Sequence, residues 1–281
     1  MSAGPAAPTA PAWDTPAPAA SAPVQSWVLA LRAVTLLKRD TAEISGAVLA
    51  PLVFFVGFYV PMRGVMHERG VDYVQWLPAI VVLQAMLFVA MSAADAMAAD
   101  VTSGMVRRFR TLPLGTLAPV AGRLGADLCR ALLAGACGIG IAAAFGFRFR
   151  AGAGAAVGFA ALAVAFALVL CVGCVALGLK VGNPEHTASA MLVPQLLLTM
   201  LSTGFTPLSG FPGWIRPFVA NQPVSRAADA LRALSSGGPT ARPVLITAAW
   251  LAGLLVLFTW LAGRVLRRGR RPARTTRGAA A

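Results

Sequence analysis

Charged residues are scarce in this chain. Asp, Glu, Lys and Arg make up 12% of the 281 residues, against about 25% in an average soluble domain. Hydrophobic residues make up 58%, and long windows contain no charge at all. Such windows are typical of segments that cross a bilayer, and not of a soluble core. The composition therefore predicts a membrane protein with several spans.

Lysine is nearly absent, since Lys38 and Lys180 are the only two. A P-loop needs the pattern G-x-x-x-x-G-K-[ST], and here the lysines follow Leu37 and Leu179. The chain is therefore not expected to bind or hydrolyse ATP by that route. The net charge is +14, but no basic patch interleaved with aromatic residues suggests nucleic acid as a partner.

Histidine and cysteine are also rare. His67-Glu68 begins like a zinc-protease motif, but no second histidine follows at the required spacing. Cys171 and Cys174 form a C-x-x-C inside an apolar run, with no second pair nearby, so we interpret them as small residues between packed helices. No nucleophile–base pair is visible. We expect no catalytic residues, no metal site and no cofactor bound by this chain.

Carboxylates are missing from the middle of the apolar runs, where ion-coupled transporters usually keep them. The three nearest are Asp95, Asp100 and Asp127, all close to predicted cytoplasmic ends. Asp127 and Arg130 are three residues apart on one predicted helix and could pair with each other. This argues against an ATP-independent secondary transporter or channel, which remains the alternative function.

Apolar runs of about 20 residues occur six times, and each is long enough to cross a hydrocarbon core. They must be helical, because lipid offers the backbone no hydrogen-bond partners. We therefore predict an all-α polytopic membrane protein with six transmembrane helices in a domain of residues 24–266. The predicted spans are 44–62, 75–98, 124–147, 155–179, 187–206 and 243–263.

The flanking segments are predicted to be cytoplasmic. Residues 1–23 are rich in Pro and Ala, lack a signal-peptide pattern and are expected to be a disordered tail. Residues 24–40 are expected to form an amphipathic helix lying along the membrane interface. Residues 267–281 are a basic tail.

The orientation follows from the distribution of basic residues. With six spans, one set of connecting segments and both termini hold 16 of the 24 Lys and Arg residues, and the opposite set holds 8. The richer side is cytoplasmic by the positive-inside rule. Both termini are thus predicted to face the cytoplasm.

Residues 205–225, FTPLSGFPGWIRPFVANQPVS, break an otherwise apolar chain on the predicted outer side. Prolines around short apolar pieces predict short helices that dip back toward the bilayer, where protein must bury the broken backbone. Asn221 or Ser225 could cap the following helix. The residues assigned to this re-entrant exit segment are Pro207, Phe211, Pro212, Trp214, Asn221, Pro223 and Arg232.

The cytoplasmic segment 99–130 contains an aspartate, a Ser-Gly break, three arginines in four positions and a Leu-Pro turn. The charges alone fit a loop that only sets the orientation. The same pattern fits a short helix on which a soluble partner docks. Composition does not choose between these two interpretations.

Three motifs stand in a fixed order along the chain. The second span begins with a Tyr-x-x-x-Leu-Pro pattern. The loop after it carries an Asp-x-x-Ser-Gly motif, followed by arginines and Leu-Pro, before a Gly-Arg. Residues 212–234 carry a late Pro-x-Trp pattern. The positions of the first two motifs are Tyr73, Leu77, Pro78, Asp100, Ser103, Gly104, Arg107, Arg108, Arg110, Leu112, Pro113, Gly122 and Arg123. Together the three motifs resemble those of the type-2 ABC exporter permeases, in particular their daunorubicin-resistance-like branch.

The resemblance implies a six-helix permease half of an exporter in a bacterial plasma membrane. Its partners would be a second permease half, in a homodimer or heterodimer, a separate cytoplasmic ABC ATPase subunit that binds ATP and Mg²⁺, and membrane lipid. The substrate would be amphiphilic, either antibiotic-like or lipidic. The ATPase would dock on the first cytoplasmic loop, at Asp100, Ser103, Gly104, Arg107, Arg108, Arg110 and Pro113.

Overall fold

A computed structural model describes residues 41–105 and 118–268. Within these ranges the chain is helical and has no β-strand. A 3₁₀ turn, Leu208–Gly210, lies between the sixth and seventh helices. The helices are α1 Thr41–Glu68, α2 Tyr73–Trp76, α3 Pro78–Thr102, α4 Ala118–Ala144, α5 Ala153–Val181, α6 Pro184–Met200, α7 Arg216–Asn221, α8 Pro223–Ser236 and α9 Ala241–Arg268.

Five helical segments in the described ranges are long and apolar enough to cross a membrane. They are Val48–Glu68, Tyr73–Thr102, Arg123–Ala144, Ala153–Val181 and Ala241–Val265. Each coincides with one of the six predicted spans, and the all-α prediction is confirmed for these residues. The predicted interfacial helix at 24–40 and both tails lie outside the described residues.

The fifth predicted span, 187–206, differs from the structure. Its helix, α6, has 17 residues and ends at Met200, so it is about 25 Å long. Residues 201–206 are irregular, because the run Ser202-Thr203-Gly204 favours turns over helix. The sequence predicted a helix several residues longer at this end.

Helix α3 forms the centre of the bundle. It packs against α1, α4, α5, α6 and α8, and most of its side chains are buried, among them Ile80, Leu83 and Met86. Helices α1 and α9 lie at the periphery and expose most of their apolar surface. A helix that is apolar on all sides is typical either of a buried core or of a membrane span. Here α3 is a buried core helix, whereas α1 and α9 have the exposed apolar surface of membrane spans.

A glycine sets the distance between α3 and α5. A Cβ added to Gly178 of α5 would overlap the carbonyl oxygen of Ala94 on α3. Cys171 and Cys174, also on α5, are buried and have free thiols. A small residue at Gly178 allows the two helices to approach closely, and the same role for the two buried cysteines stays a prediction.

The turn between α5 and α6 follows directly from the sequence Gly182-Asn183-Pro184. Gly182 ends α5 in the left-handed conformation, at φ +68°. The Asn183 side chain accepts a hydrogen bond of 2.9 Å from the N–H of Glu185 and so caps α6. Pro184 occupies the first helical position, where a missing N–H costs nothing.

The connecting segments gather at two opposite ends of the bundle. At one end Arg150 forms an ion pair of 2.9 Å with Asp72, and its N–H donates to the carbonyl oxygen of Ser235. At the other end Asp100 pairs with Arg123, and Gly182 lies against Val101. We call these the Asp72 end and the Asp100 end. The residues named here at each end come from segments that the charge count places in one and the same set.

Candidate functional site

The segment 201–236 folds back onto the Asp72 end of the bundle. Its longest helix, α8, packs against α3, α5 and α9 and buries a face that includes Val224, Ala228 and Leu231. Small and apolar residues recur on this face at helical spacing, while charged residues lie largely outside it. The final part of the segment is therefore a packed element and not a solvated loop.

Arg232 lies at the centre of this packing and is only 9% exposed. Its Nη2 donates to the carbonyl oxygens of Thr203 and Gly204, at 2.7 and 2.8 Å. Its Nε donates to the carbonyl oxygen of Trp76 at 3.3 Å, and the guanidinium carbon lies 3.8 Å from the centre of the Trp76 ring. A planar cation with several donors is suited to such a site. One side chain thus connects α8, the end of α2 and the irregular residues after α6.

The charge of Arg232 is balanced by Asp229, one turn earlier on α8. Their side chains form an ion pair of 3.0 Å, and Asp229 also accepts a hydrogen bond from the Thr203 hydroxyl at 3.1 Å. Burial lowers the pKa of Arg232 to about 10, so the guanidinium stays charged at neutral pH. Burial raises the pKa of the Asp229 carboxyl, and the nearby Arg232 opposes that rise.

Residues at the start of α8 supply hydrogen-bond partners to the backbone at the end of α6. The Gln222 amide donates to the carbonyl oxygens of Leu198, at 3.0 Å, and Leu201, and the Ser225 hydroxyl accepts from the N–H of Thr203 at 3.1 Å. The last carbonyls of a helix have no partner within it. These contacts supply hydrogen-bond partners to backbone groups of the irregular residues after α6, where the helix ends early.

The capping prediction is wrong. Gln222 is the N-cap of α8, and its side chain makes no capping bond. Pro223 occupies the first helical position, which places Asn221 outside the helix and Ser225 inside it. Asn221 instead accepts a hydrogen bond of 2.7 Å from Arg226.

The other predicted residues of the exit segment lie at the outer rim of the Asp72 end. Trp214 is 81% exposed, and Pro212 is also exposed. Arg216 holds this rim together by donating to the carbonyl oxygens of Phe211, at 2.8 Å, and Ser209. The structure therefore divides the predicted set into a buried part around Arg232 and an exposed part around Trp214.

At the Asp100 end, the predicted docking loop begins and ends at one ion pair. Arg123 of α4 lies 2.5 Å from the carboxylate of Asp100 on α3 and also donates to the carbonyl oxygen of Ala93. The Ser103 hydroxyl donates to the carbonyl oxygen of Asp100 at 3.3 Å, and Gly104 adopts φ +72° as α3 ends. The remaining predicted docking residues, Arg107, Arg108, Arg110 and Pro113, lie outside the described residues.

The predicted pair of Asp127 and Arg130 is present on α4, at 3.1 Å. Asp127 is fully buried, whereas the side chain of Arg130 is 19% exposed. A charged pair inside a membrane helix is costly and usually serves a function.

Sequence reasoning missed the partners of Arg232. Trp76, Thr203 and Asp229 had no predicted role, because they lie on three different elements and no local pattern links them. The available signal was the position of Arg232 among the alanines and leucines of α8, on the face that the pattern assigns to the core.

This bundle of long apolar helices, with a central buried helix and polar clusters at its two ends, is that of a multi-pass helical membrane protein. Residues 58–264 match the family model described as "ABC-2 family transporter protein". The match covers most of the chain, which therefore belongs to the ABC-2 family of transporter proteins.

Three relatives are similar over most of their length. "Doxorubicin resistance ABC transporter permease protein DrrB" of Mycobacterium tuberculosis is 32% identical over 264 residues, 87% of this chain and 89% of the relative. "Probable doxorubicin resistance ABC transporter permease protein DrrC" of the same species is 29% identical over 230 residues, 80% and 82% of the two chains. "Daunorubicin resistance ABC transporter permease protein DrrB1" of Streptomyces coeruleorubidus is 28% identical over 236 residues, 84% and 83% of the two chains.

Proposed function

We propose that this chain is the permease subunit of an ATP-driven ABC exporter in a bacterial plasma membrane. It moves an amphiphilic antibiotic-like or lipidic substrate out of the cell. The observation that carries the proposal is the family match over residues 58–264, together with relatives named as permeases of drug-resistance ABC transporters. ATP and Mg²⁺ bind to a separate ATPase subunit, and this chain binds no cofactor.

In the proposed arrangement the chain crosses the membrane six times, with α6 as the short crossing. Helix α6 starts beside Val101 at the Asp100 end and finishes among the partners of Arg232 at the Asp72 end. About 25 Å of helix plus the residues at 201–204 suffices for a crossing near the lower limit of length. The Asp100 end faces the cytoplasm, as do both termini, in agreement with the excess of basic residues.

The loop at 103–117 is the proposed docking site for the ATPase subunit. The Asp100–Arg123 pair fixes its two ends to α3 and α4, so a displacement of the loop would reach the central helix directly. Closure of the ATPase subunits around nucleotide would then favour one packing of the spans over another. The arginines at 107, 108 and 110 provide the charge for that contact.

The segment 201–236 is the proposed re-entrant seal at the outer end of the export path. Its buried part is fixed by Arg232, and its exposed rim carries Trp214, which suits the membrane interface. The exposed apolar sides of α1 and α9 are available to membrane lipid and to a second permease half, either a second copy or a different chain.

The test is affinity purification of the tagged chain from membranes, with mass spectrometry and an ATPase assay on what co-purifies. We expect a P-loop ATPase subunit and a second permease half. Reversing the charge at Arg107, Arg108 and Arg110 together should remove the ATPase and leave the chain inserted in the membrane. Reversal at Arg69, which is exposed at the opposite end, is the matched control. A chain that purifies without an ATPase and still exports along a proton gradient would contradict the proposal.

A further inference from the structure

A cavity of about 660 Å³ lies at the Asp72 end, between the last turns of α1 and the residues that lead into α2. Its volume is within the range of small-molecule binding sites. One wall is formed by Tyr59, Arg63, Gly64 and His67 of α1, and the opposite wall is formed by residues 70–74. The α1 wall is polar and basic, whereas the opposite wall is largely apolar.

Three polar side chains on the α1 wall have no partner. Tyr59, Arg63 and His67 follow one another at intervals of four residues and so lie along one side of the helix. Within residues 41–105 and 118–268, their hydroxyl, guanidinium and imidazole groups form no hydrogen bond or ion pair. All three groups can donate hydrogen bonds, and the guanidinium carries a positive charge. The wall therefore offers several donors to an acceptor-rich ligand.

The acidic residue of the lining does not cancel this charge, because Asp72 is paired with Arg150 at 2.9 Å. The last carbonyls of a helix also repel an anion, but those of α1 are engaged. The N–H groups of residues 70–71 donate to the carbonyl oxygens of His67 and Met66, each at 2.9 Å, in the arrangement of a Schellman motif. The α1 side of the cavity thus keeps its positive character.

An apolar surface leads from the cavity toward the middle of the membrane. Val53, Val60 and His67 are seven residues apart, so they lie on one face of α1. Val60 is 58% exposed and Val53 is 64% exposed. Over about 20 Å this face changes from apolar to basic, with Tyr59 near the boundary, where tyrosine is common in membrane proteins. A phospholipid has the same order, with acyl chains in the hydrocarbon and a phosphate at the interface.

We propose that this cavity binds the phosphate headgroup of an anionic phospholipid from the leaflet at the Asp72 end. Arg63 and His67 contact the phosphate, and the acyl chains lie on the face of α1 that carries Val53 and Val60. A planar guanidinium is suited to bind two oxygens of one phosphate, and basic pockets between membrane helices bind anionic headgroups. The site does not depend on the proposed export function, since it needs only a membrane and these residues.

The test is native mass spectrometry of the full-length chain, purified in detergent with the subunits it retains and titrated with three probes. Dioleoylphosphatidylglycerol carries both the phosphate and the chains, dioleoylglycerol lacks the phosphate, and glycerol 1-phosphate lacks the chains. The first binding constant should be about 10-fold higher for the phospholipid than for the diacylglycerol, since one good charge-assisted contact contributes on this order. Glycerol 1-phosphate should not displace the phospholipid at equal concentration.

The double variant Arg63→Gln/His67→Gln should abolish the preference for the phospholipid. Both positions are exposed and unpaired, so the variant should fold. Gly64→Leu keeps both contacts, fills the cavity and should also weaken binding of the phospholipid. It should be tolerated, because nothing lies within 4 Å of a Cβ at this position. Arg148→Gln is the matched control, since Arg148 is exposed at the same end and lies outside the lining.

Equal binding of the phospholipid and the diacylglycerol, or a preference that survives in the double variant, would overturn the proposal. An equal loss in Arg148→Gln would show that the overall charge of this end attracts the lipid without a defined site. Displacement by glycerol 1-phosphate at equal concentration would assign the cavity to a soluble phosphate compound and exclude the lipid.

Discussion

Arg232 and Trp76 are 156 residues apart and form one stacked contact, with the guanidinium carbon 3.8 Å from the centre of the indole ring. The backbone carbonyl of the same tryptophan accepts a hydrogen bond from Arg232. The contact attaches the segment before the last helix to α2, the short helix that directly precedes the central helix α3. Because α3 touches most other helices, this attachment couples the Asp72 end to the whole bundle.

Replacing Arg232 with Gln should destabilise the protein by about 3 kcal/mol, since it removes a buried charge from its acceptors and leaves Asp229 without its cation. The apparent Tm in detergent should fall by roughly 5 °C or more. Trp76→Leu should cost less, about 1 kcal/mol, because the backbone contact remains. Arg242→Gln is the control, since Arg242 is exposed at the start of α9. Equal melting temperatures for Arg232→Gln and Arg242→Gln would contradict this account.

Gly178→Ala should disrupt the contact between α3 and α5. The added methyl group would meet the backbone of Ala94, which cannot move aside as a side chain can. We expect a loss of about 1–3 kcal/mol, typical of overpacking, and less monodisperse protein in fluorescence-detected size-exclusion chromatography. Gly140→Ala on α4, where nothing lies within 4 Å of the added atom, should behave as wild type. If the two variants purify alike, the close approach of α3 and α5 is not as described.

The Asp100–Arg123 pair should be needed for attachment of the ATPase subunit, if the loop between them is the docking site. Asp100→Arg places two cations together and should lower the recovered ATPase activity several-fold. The exchange Asp100→Arg/Arg123→Asp restores the attraction and should recover most of it. The measurement is ATPase activity per tagged permease after purification. Failure of the exchange to restore any activity would show that the aspartate has a different role.

The six crossings can be tested by labelling single cysteines in a variant whose four native cysteines are replaced. Ser209→Cys, in the exposed 3₁₀ turn at the Asp72 end, should react with a membrane-impermeant maleimide in intact cells. Glu185→Cys, exposed at the start of α6, should react only after the membrane is opened. Equal labelling of both in intact cells would mean that α6 does not cross.

The apolar runs were sufficient to predict the five long apolar helices of the described residues and their approximate limits. The reason is local, because each span must satisfy its own backbone hydrogen bonds in lipid. The same holds for the Gly-Asn-Pro turn before α6 and for the Asp127–Arg130 pair, whose members are one helical turn apart. The sequence predicts the ends of helices less well than their existence. At the early end of α6, the backbone carbonyl oxygens of Leu198 and Leu201 accept hydrogen bonds from the Gln222 side chain, more than 20 residues further along the chain.

The sequence by itself determined that the described part of this protein is helical and contains several helices of membrane length, since composition and spacing express the demands of lipid directly. Only the tertiary structure decided which polar residues meet. Arg232 contacts Trp76 and Thr203, and Asp100 pairs with Arg123. Arg130 lines a cavity between three helices. These contacts depend on helix packing, because packing sets the distances between residues far apart in the chain. The sequence pattern predicts on which face of a helix such a residue lies, and the packing of the helices determines its partners.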